Sequence, residues 1–216
     1  PRTHRDQAVP GFWWRVLSPL GAVIAAFVIL VVGAGVLSLT SVSDGALEAI
    51  LVFSTSLLLL VFAVVLWLGL PAANRRAAVA LKGTLPKAVA TGVGMGLALV
   101  IGAGLILLAG SALDSTVERR LNEVESIGTV PWQLVLTVSA LVILAPLGEE
   151  LLFRGLLLRG LARRMPFWPA ALVSSLLFAS AHADAYVLWP RAIALVGTGV
   201  VLAWLYRRRG YWASVS

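Results

Sequence analysis

The run from Ala46 to Leu70, ALEAILVFSTSLLLLVFAVVLWLGL, decides the fold, because its only ionisable side chain is Glu48, close to its start. A helix needs roughly 20 consecutive apolar residues to cross the hydrocarbon core of a bilayer, whereas a barrel strand needs about 9 to 11 residues of alternating character. The run is too long and too continuous for strands. In lipid the backbone amides have to be satisfied inside the segment or in a closed barrel, so a transmembrane helix is the remaining solution.

Comparable runs lie on both sides of it. A first span is expected over about Val16 to Leu39, joined to the second by the polar turn Thr40, Ser41, Val42, Ser43, Asp44 and Gly45. A third is expected over about Ala88 to Gly110, and a fourth begins after Pro131 and Trp132 and runs past Arg154. A fifth lies between Phe167 and about Tyr186, and a sixth between about Val187 and Tyr206. The expected fold is an all-α polytopic transmembrane helical bundle of about six spans. Residues 1–15 form a tail, 16–131 the amino-terminal helices with an outer amphipathic loop, and 132–216 a core.

Composition agrees. The 216 residues are 60% hydrophobic and 12% charged, with mean hydropathy +0.96, and an ordinary soluble domain has about twice that charged fraction. The net charge of +7 does not point to nucleic acid, because most of the basic residues flank apolar runs. Without cysteine there is no disulfide, thiolate nucleophile or cysteine metal site. The chain starts at Pro1, and its first apolar run is too long for a signal-peptide core, so a mature membrane anchor in a processed or partial chain is expected.

The basic residues alternate between loops. Arg2, Arg5 and Arg15 precede the first span; Arg75, Arg76, Lys82 and Lys87 follow the second; Arg159, Arg163 and Arg164 follow the fourth; Arg207, Arg208 and Arg209 follow the sixth. The intervening loops hold only Arg119, Arg120 and Arg191. The positive-inside rule then puts both ends in the cytoplasm and asks for an even number of spans. The connection from Ser111 to Trp132 carries Leu113, Val117, Leu121 and Val124 at helical intervals among charged residues, with Ser115 and Glu118 at capping-box spacing. It is expected to be a short amphipathic helix on the outer interface or a solvated linker helix. Gly92, Gly94, Gly96, Gly102 and Gly104 in the third span, with Gly197 and Gly199 in the sixth, suggest close helix packing. Trp13, Trp14, Trp132, Trp168, Trp189 and Trp212 fall where aromatic belts are expected.

Chemistry is concentrated in Ala145-Pro146-Leu147-Gly148-Glu149-Glu150-Leu151-Leu152-Phe153-Arg154-Gly155. Each charge at mid-span costs roughly 2.5 to 3.5 kcal/mol on insertion scales, so an unpaired cluster is disfavoured. Glu150 and Arg154, four apart with the acid first, have the favourable order for a same-face ion pair. Glu149 points about 100° away and is left over as a candidate base. His182, in Phe178-Ala179-Ser180-Ala181-His182, shares a helix face with Phe178. A hairpin turning near Met165 and Pro166 brings His182 to the depth of the two glutamates, within reach of one water or one metal ion. Depth in the bilayer is ambiguous: counting from the basic turn buries the cluster, whereas counting from Trp132 puts it near the border. A fourth helix that overshoots the membrane, or a kink at Pro146, reconciles the two counts. A packing lock between Glu150 and Arg154 beside a hydrogen-bonded core histidine is the plainer alternative, and ion or proton transport another.

At Glu149-Glu150-x-x-x-Arg154 followed by Phe178-x-x-x-His182, with Phe153-Arg154-Gly155 and the preceding proline, the chain resembles the CPBP family of intramembrane peptidases. That family includes the type II CAAX prenyl endopeptidases and the bacterial Abi or bacteriocin-immunity proteins. The resemblance covers roughly Trp132 to Ser216 and implies an intramembrane endopeptidase in which Glu149 and His182 activate the attacking water while Glu150 and Arg154 order the site. It also implies about eight spans in a complete protein. The family's third motif, a later histidine followed by an asparagine, has no counterpart here, since His4 is the only other histidine. The stretch from Tyr206 to Ser214 resembles the approach to that motif, so truncation is expected rather than loss. A missing oxyanion donor costs about 100- to 1000-fold in rate, so weak activity is expected of the chain as it stands.

No His-Glu-x-x-His, no Gly-x-Ser-x-Gly and no pair of intramembrane aspartates points to another protease class. Glu149 and His182 are candidate ligands for a divalent ion such as zinc. The expected partners are membrane lipid and a peptide or membrane-protein substrate, in a bacterial cell membrane with the amino terminus cytoplasmic. A membrane scaffold or immunity-type binding protein is the alternative function, and a transporter the more distant one.

Overall fold

The computed structural model describes residues 11–37, 43–122 and 130–216. The basic tail with Arg2, His4 and Arg5, the turn residues 40–42, and Glu123, Val124 and Glu125 lie outside the described residues, as do the side chains of Trp13, Trp14, Arg15 and Leu121. Among the described residues there is no strand, and the chain is an all-α helical bundle.

Helix α1 (Phe12–Leu37) and α2 (Asp44–Leu68) pack against each other, and a short α3 (Ala72–Ala78) turns the chain into α4 (Leu85–Leu113). After α5 (Ser115–Asn122) comes α6, a continuous helical element of 31 residues over Pro131–Leu161. It is followed by α7 (Phe167–Ser180), a 3-10 turn (Ala183–Tyr186), α8 (Trp189–Arg209) and α9 (Tyr211–Val215). Five of these helices, α1, α2, α4, α6 and α8, are long and apolar enough to cross a membrane.

The predicted fifth span is corrected to a helix of 14 residues. At 1.5 Å per residue it rises about 21 Å, short of the roughly 30 Å hydrocarbon core. The apolar run outlasts the helix because side chains occupy its last carbonyls. His182 Nδ1 donates to the Phe178 carbonyl at 2.9 Å and the Tyr186 hydroxyl to the Ser180 carbonyl at 2.6 Å. Such bonds compete with the helical ladder and end it.

The second half of α6 forms the centre. Residues 151–158 are all buried, among Ala170, Ala171, Phe178 and Ala179 of α7 and Leu195, Ala203 and Tyr206 of α8. The apolar side chains of α4 face outward, Val100, Leu105 and Leu108 being more than half exposed, as a lipid-facing helix requires. The capping expected at Ser115 is supplied instead by Asp114, whose Oδ1 accepts the Thr116 backbone N–H at 2.8 Å. That bond holds the Asp114 carboxyl below the usual carboxylate range.

The expectation of close packing holds for part of the glycine set. A Cβ on Gly92 would collide with the Ala213 carbonyl, and one on Gly199 would lie 2.7 Å from Ser175 Cβ. Gly94, Gly102, Gly104 and Gly197 have nothing within 4 Å. Gly210, at φ 88°, turns the chain between α8 and α9 and pairs with Leu81 in an isolated bridge. Positive φ and the nearby Ala80 carbonyl both require glycine there.

Candidate active site

Glu149 and Glu150 sit where α6 is least regular. The element passes from α-helix (Pro131–Ser139) to π-helix (Ala140–Leu144), back to α over Ala145–Glu149, and into π again over Glu150–Leu158. Pro146 accounts for the first change, since it has no N–H to give the carbonyl four residues back. The Ala145 N–H bonds instead to the carbonyl of Ala140, five residues back. Such widened turns inside helices are frequent at functional sites. Buried hydroxyls from elsewhere serve the irregular backbone: Ser174 donates to the Phe153 carbonyl at 3.1 Å and Tyr211 to the Leu147 carbonyl at 2.9 Å.

The ion pair expected from spacing is formed. Arg154 Nη1 lies 2.6 Å from Glu150 Oε1, with the side chains 1% and 3% exposed. Arg154 Nη2 donates to the Gly199 carbonyl at 3.3 Å, and its Cζ lies 4.6 Å from the centroid of the Phe178 ring. The guanidinium is therefore held by a carboxylate, a carbonyl and an aromatic face, which together offset its burial.

Glu149 turns elsewhere. It lines a cavity of about 910 Å³ bounded by α1, α2, α6 and the end of α7, and His182 lines the same cavity. The hairpin register that joins them is fixed across the Met165 turn, where the rings of Phe153 and Phe178 meet edge to face at 5.2 Å and that of His182 follows at 4.8 Å from Phe178. His182 lies just past the end of α7 rather than inside a span. Because a carbonyl can only accept, the bond to Phe178 requires a proton on Nδ1, so that in the neutral ring Nε2 is the acceptor.

Depth follows from α2. Gly148 abuts the backbone of Leu60, where an added Cβ would lie 2.9 Å from the Leu60 nitrogen. Leu60 is about 24 Å along α2 from Asp44 and about 12 Å from its far end at Leu68. The glutamates therefore sit inside the apolar part of the bundle, and α6, about 46 Å long at ideal rise, extends beyond a roughly 30 Å core.

The cavity wall is mostly apolar, from Val23, Phe27 and Leu30 of α1 and Leu47, Leu51 and Leu59 of α2. Asp44 and Glu48 of α2 also line it, which the sequence reading missed because a helix's first turn is an ordinary place for acids. Ser174 and Tyr211 were missed too, as their partners are 21 and 64 residues away.

A catalytic zinc takes three protein ligands and a water. No group of three or more His, Cys, Asp or Glu that could hold an ion occurs among the described residues. Glu149 and His182, the expected ligands, amount to two, and Glu150 is taken by Arg154. The residues present do not fit the ion.

Residues 131–216 match the family model described as type II CAAX prenyl endopeptidase Rce1-like. The chain is also similar to a protein of Escherichia coli described as an uncharacterized 24.3 kDa protein, 37% identical over 92 residues, a stretch that is 42% of this chain and 42% of that protein. The match thus spans less than half the length of that relative. No solved structure matches.

Proposed function

We propose, on the premise that the Rce1-like match over residues 131–216 supports membership of the CPBP family, that this chain is an intramembrane endopeptidase. The observation that carries the reading is the cavity shared by Glu149 and His182, beside a buried Glu150–Arg154 ion pair. A water between the Glu149 carboxylate and His182 Nε2 donates one proton to each. Its remaining lone pairs face a peptide carbonyl admitted between α1, α2 and α6. Glu149 takes the proton as the oxygen attacks, then delivers it to the departing amine nitrogen as the C–N bond breaks. Glu150 and Arg154 hold α6 so that Glu149 keeps its aim. No metal ion enters this scheme. The substrate is a peptide or membrane-protein segment, and the site faces the lipid of a bacterial cell membrane with the amino terminus in the cytoplasm.

The test is cleavage of quenched fluorescent peptides by the purified full-length protein in proteoliposomes. Glu149→Ala and His182→Ala are each expected to lower the rate by about 100-fold or more, the usual scale of general-base catalysis. Cleavage by Glu149→Ala at the parent rate would overturn the mechanism. Retained cellular function in Glu149→Gln without any cleavage would favour a membrane scaffold.

A further inference from the structure

Away from the Glu149 cavity, at the end of the bundle where α7 begins and α8 ends, lies a second recess of about 390 Å³, lined by Trp168, Trp204, Arg207 and Arg208. We propose that this recess binds the phosphodiester headgroup of an anionic membrane lipid. The proposal does not depend on the peptidase reading.

Each guanidinium lies over an aromatic ring. Arg207 Cζ lies 4.4 Å from the centroid of the Phe167 ring, and Arg208 Cζ lies 5.9 Å from that of Trp204. A guanidinium attracted to a ring in this way still carries its N–H groups in the fork that matches phosphate oxygens. Neither arginine makes an ion pair with a carboxylate among the described residues. Two cations therefore face one recess with no protein anion to neutralise them, and one phosphodiester supplies the complementary charge.

The surroundings select a lipid over a free anion. Trp168 is 57% exposed, as an indole at headgroup level would be. Leu172 and Leu176 follow it at intervals of four on the same face of α7, about half exposed, and form an apolar track leading away from the recess. On α8, Gly197 leaves open space where a side chain would stand. A headgroup in the recess thus has room for an acyl chain beneath it. The positive-inside rule accounts for basic residues at this end, yet it asks for no pair of arginines braced on aromatic rings around a cavity.

The experiment is native mass spectrometry of the purified full chain in detergent with equimolar phosphatidylglycerol and phosphatidylcholine. The parent is expected to retain phosphatidylglycerol about 10-fold over phosphatidylcholine, and R207Q/R208Q to lose that preference. R75Q/R76Q, which removes the same charge elsewhere on the chain, should keep it. W168A retains every charge and should still weaken the preference, which decides the matter if the double variant does not fold. Equal retention of both lipids by the parent, equal loss in R75Q/R76Q, or an unchanged preference in W168A would overturn the proposal. Displacement of the lipid by millimolar inorganic phosphate would also overturn it, by revealing a small-anion site.

Discussion

Arg154 and Glu150 are the most deeply buried charges among the described residues, and the ion pair between them offsets part of the cost of that burial. Removing one partner of such a pair costs about 3 to 5 kcal/mol, whereas replacing both by apolar groups of similar volume is often neutral. Arg154→Met is therefore expected to lower the unfolding midpoint in detergent strongly, and Glu150→Leu with Arg154→Met to recover most of the loss. A single variant as stable as the parent would show that the pair does not hold the helices. Glu149→Ala should leave the midpoint nearly unchanged, since that side chain lines a cavity. Glu149, Glu150, Arg154 and His182 were legible as candidates because ionisable groups stand out in apolar sequence. Which glutamate pairs and which faces the cavity was half legible: spacing assigns Glu150 to Arg154, but only the neighbouring helices show what Glu149 meets.

Small residues act at the scale of helix pairs, and their effect depends on what stands opposite. Gly199 of α8 faces Ser175 of α7 so closely that an added Cβ would lie 2.7 Å from Ser175 Cβ, while Gly197 faces open space. Gly199→Ala is expected to cost about 1 to 3 kcal/mol by overpacking. It would also shift the Gly199 carbonyl that accepts from Arg154. Gly197→Ala should be neutral or slightly stabilising, since alanine is the better helix former by about 1 kcal/mol. Thermal unfolding of the two variants side by side checks this, and equal destabilisation would contradict the packing. In sequence the two glycines look alike. The long helices were legible within a few residues from hydropathy, but the π stretches of α6 and the early stop of α7 were not. Both depend on particular hydrogen bonds, and hydropathy carries no information about them.

Across the whole molecule, loops far apart in sequence meet at one basic end. Arg159 Nη1 donates to the Ala77 carbonyl at 3.0 Å, Lys82 Nζ to the Arg207 carbonyl at 2.7 Å, and the Tyr211 N–H to the Ala80 carbonyl at 3.0 Å. At the other end Trp189 Nε1 donates to Asp114 Oδ2 at 3.3 Å, and Pro190 packs on Gly110. The 216 residues hold no cysteine, so single cysteines introduced into them report sidedness without background. Arg163→Cys is expected to label with an impermeant maleimide only from the cytoplasmic side, and Ser43→Cys and Ser115→Cys only from the opposite one. Labelling of all three from one side would contradict the arrangement. The short α7 does not cross by itself, so the even parity read from loop charges needs the turn after it, with His182, to complete that leg.

The sequence by itself determined that this is a helical membrane bundle with ionisable groups confined to a few apolar positions, because hydropathy and charge are properties of the chain and bilayer thickness is a fixed length. Only the tertiary structure decided that Glu149 and His182 line one cavity, that Arg154 is held between Glu150 and the Gly199 carbonyl, and that Asp44 and Glu48 open onto the same space. Those outcomes depend on how neighbouring helices rotate and slide against each other. That choice is made by close packing at a few points, Gly148 on Leu60, Phe153 on Phe178 and Gly199 on Ser175, between residues tens of positions apart.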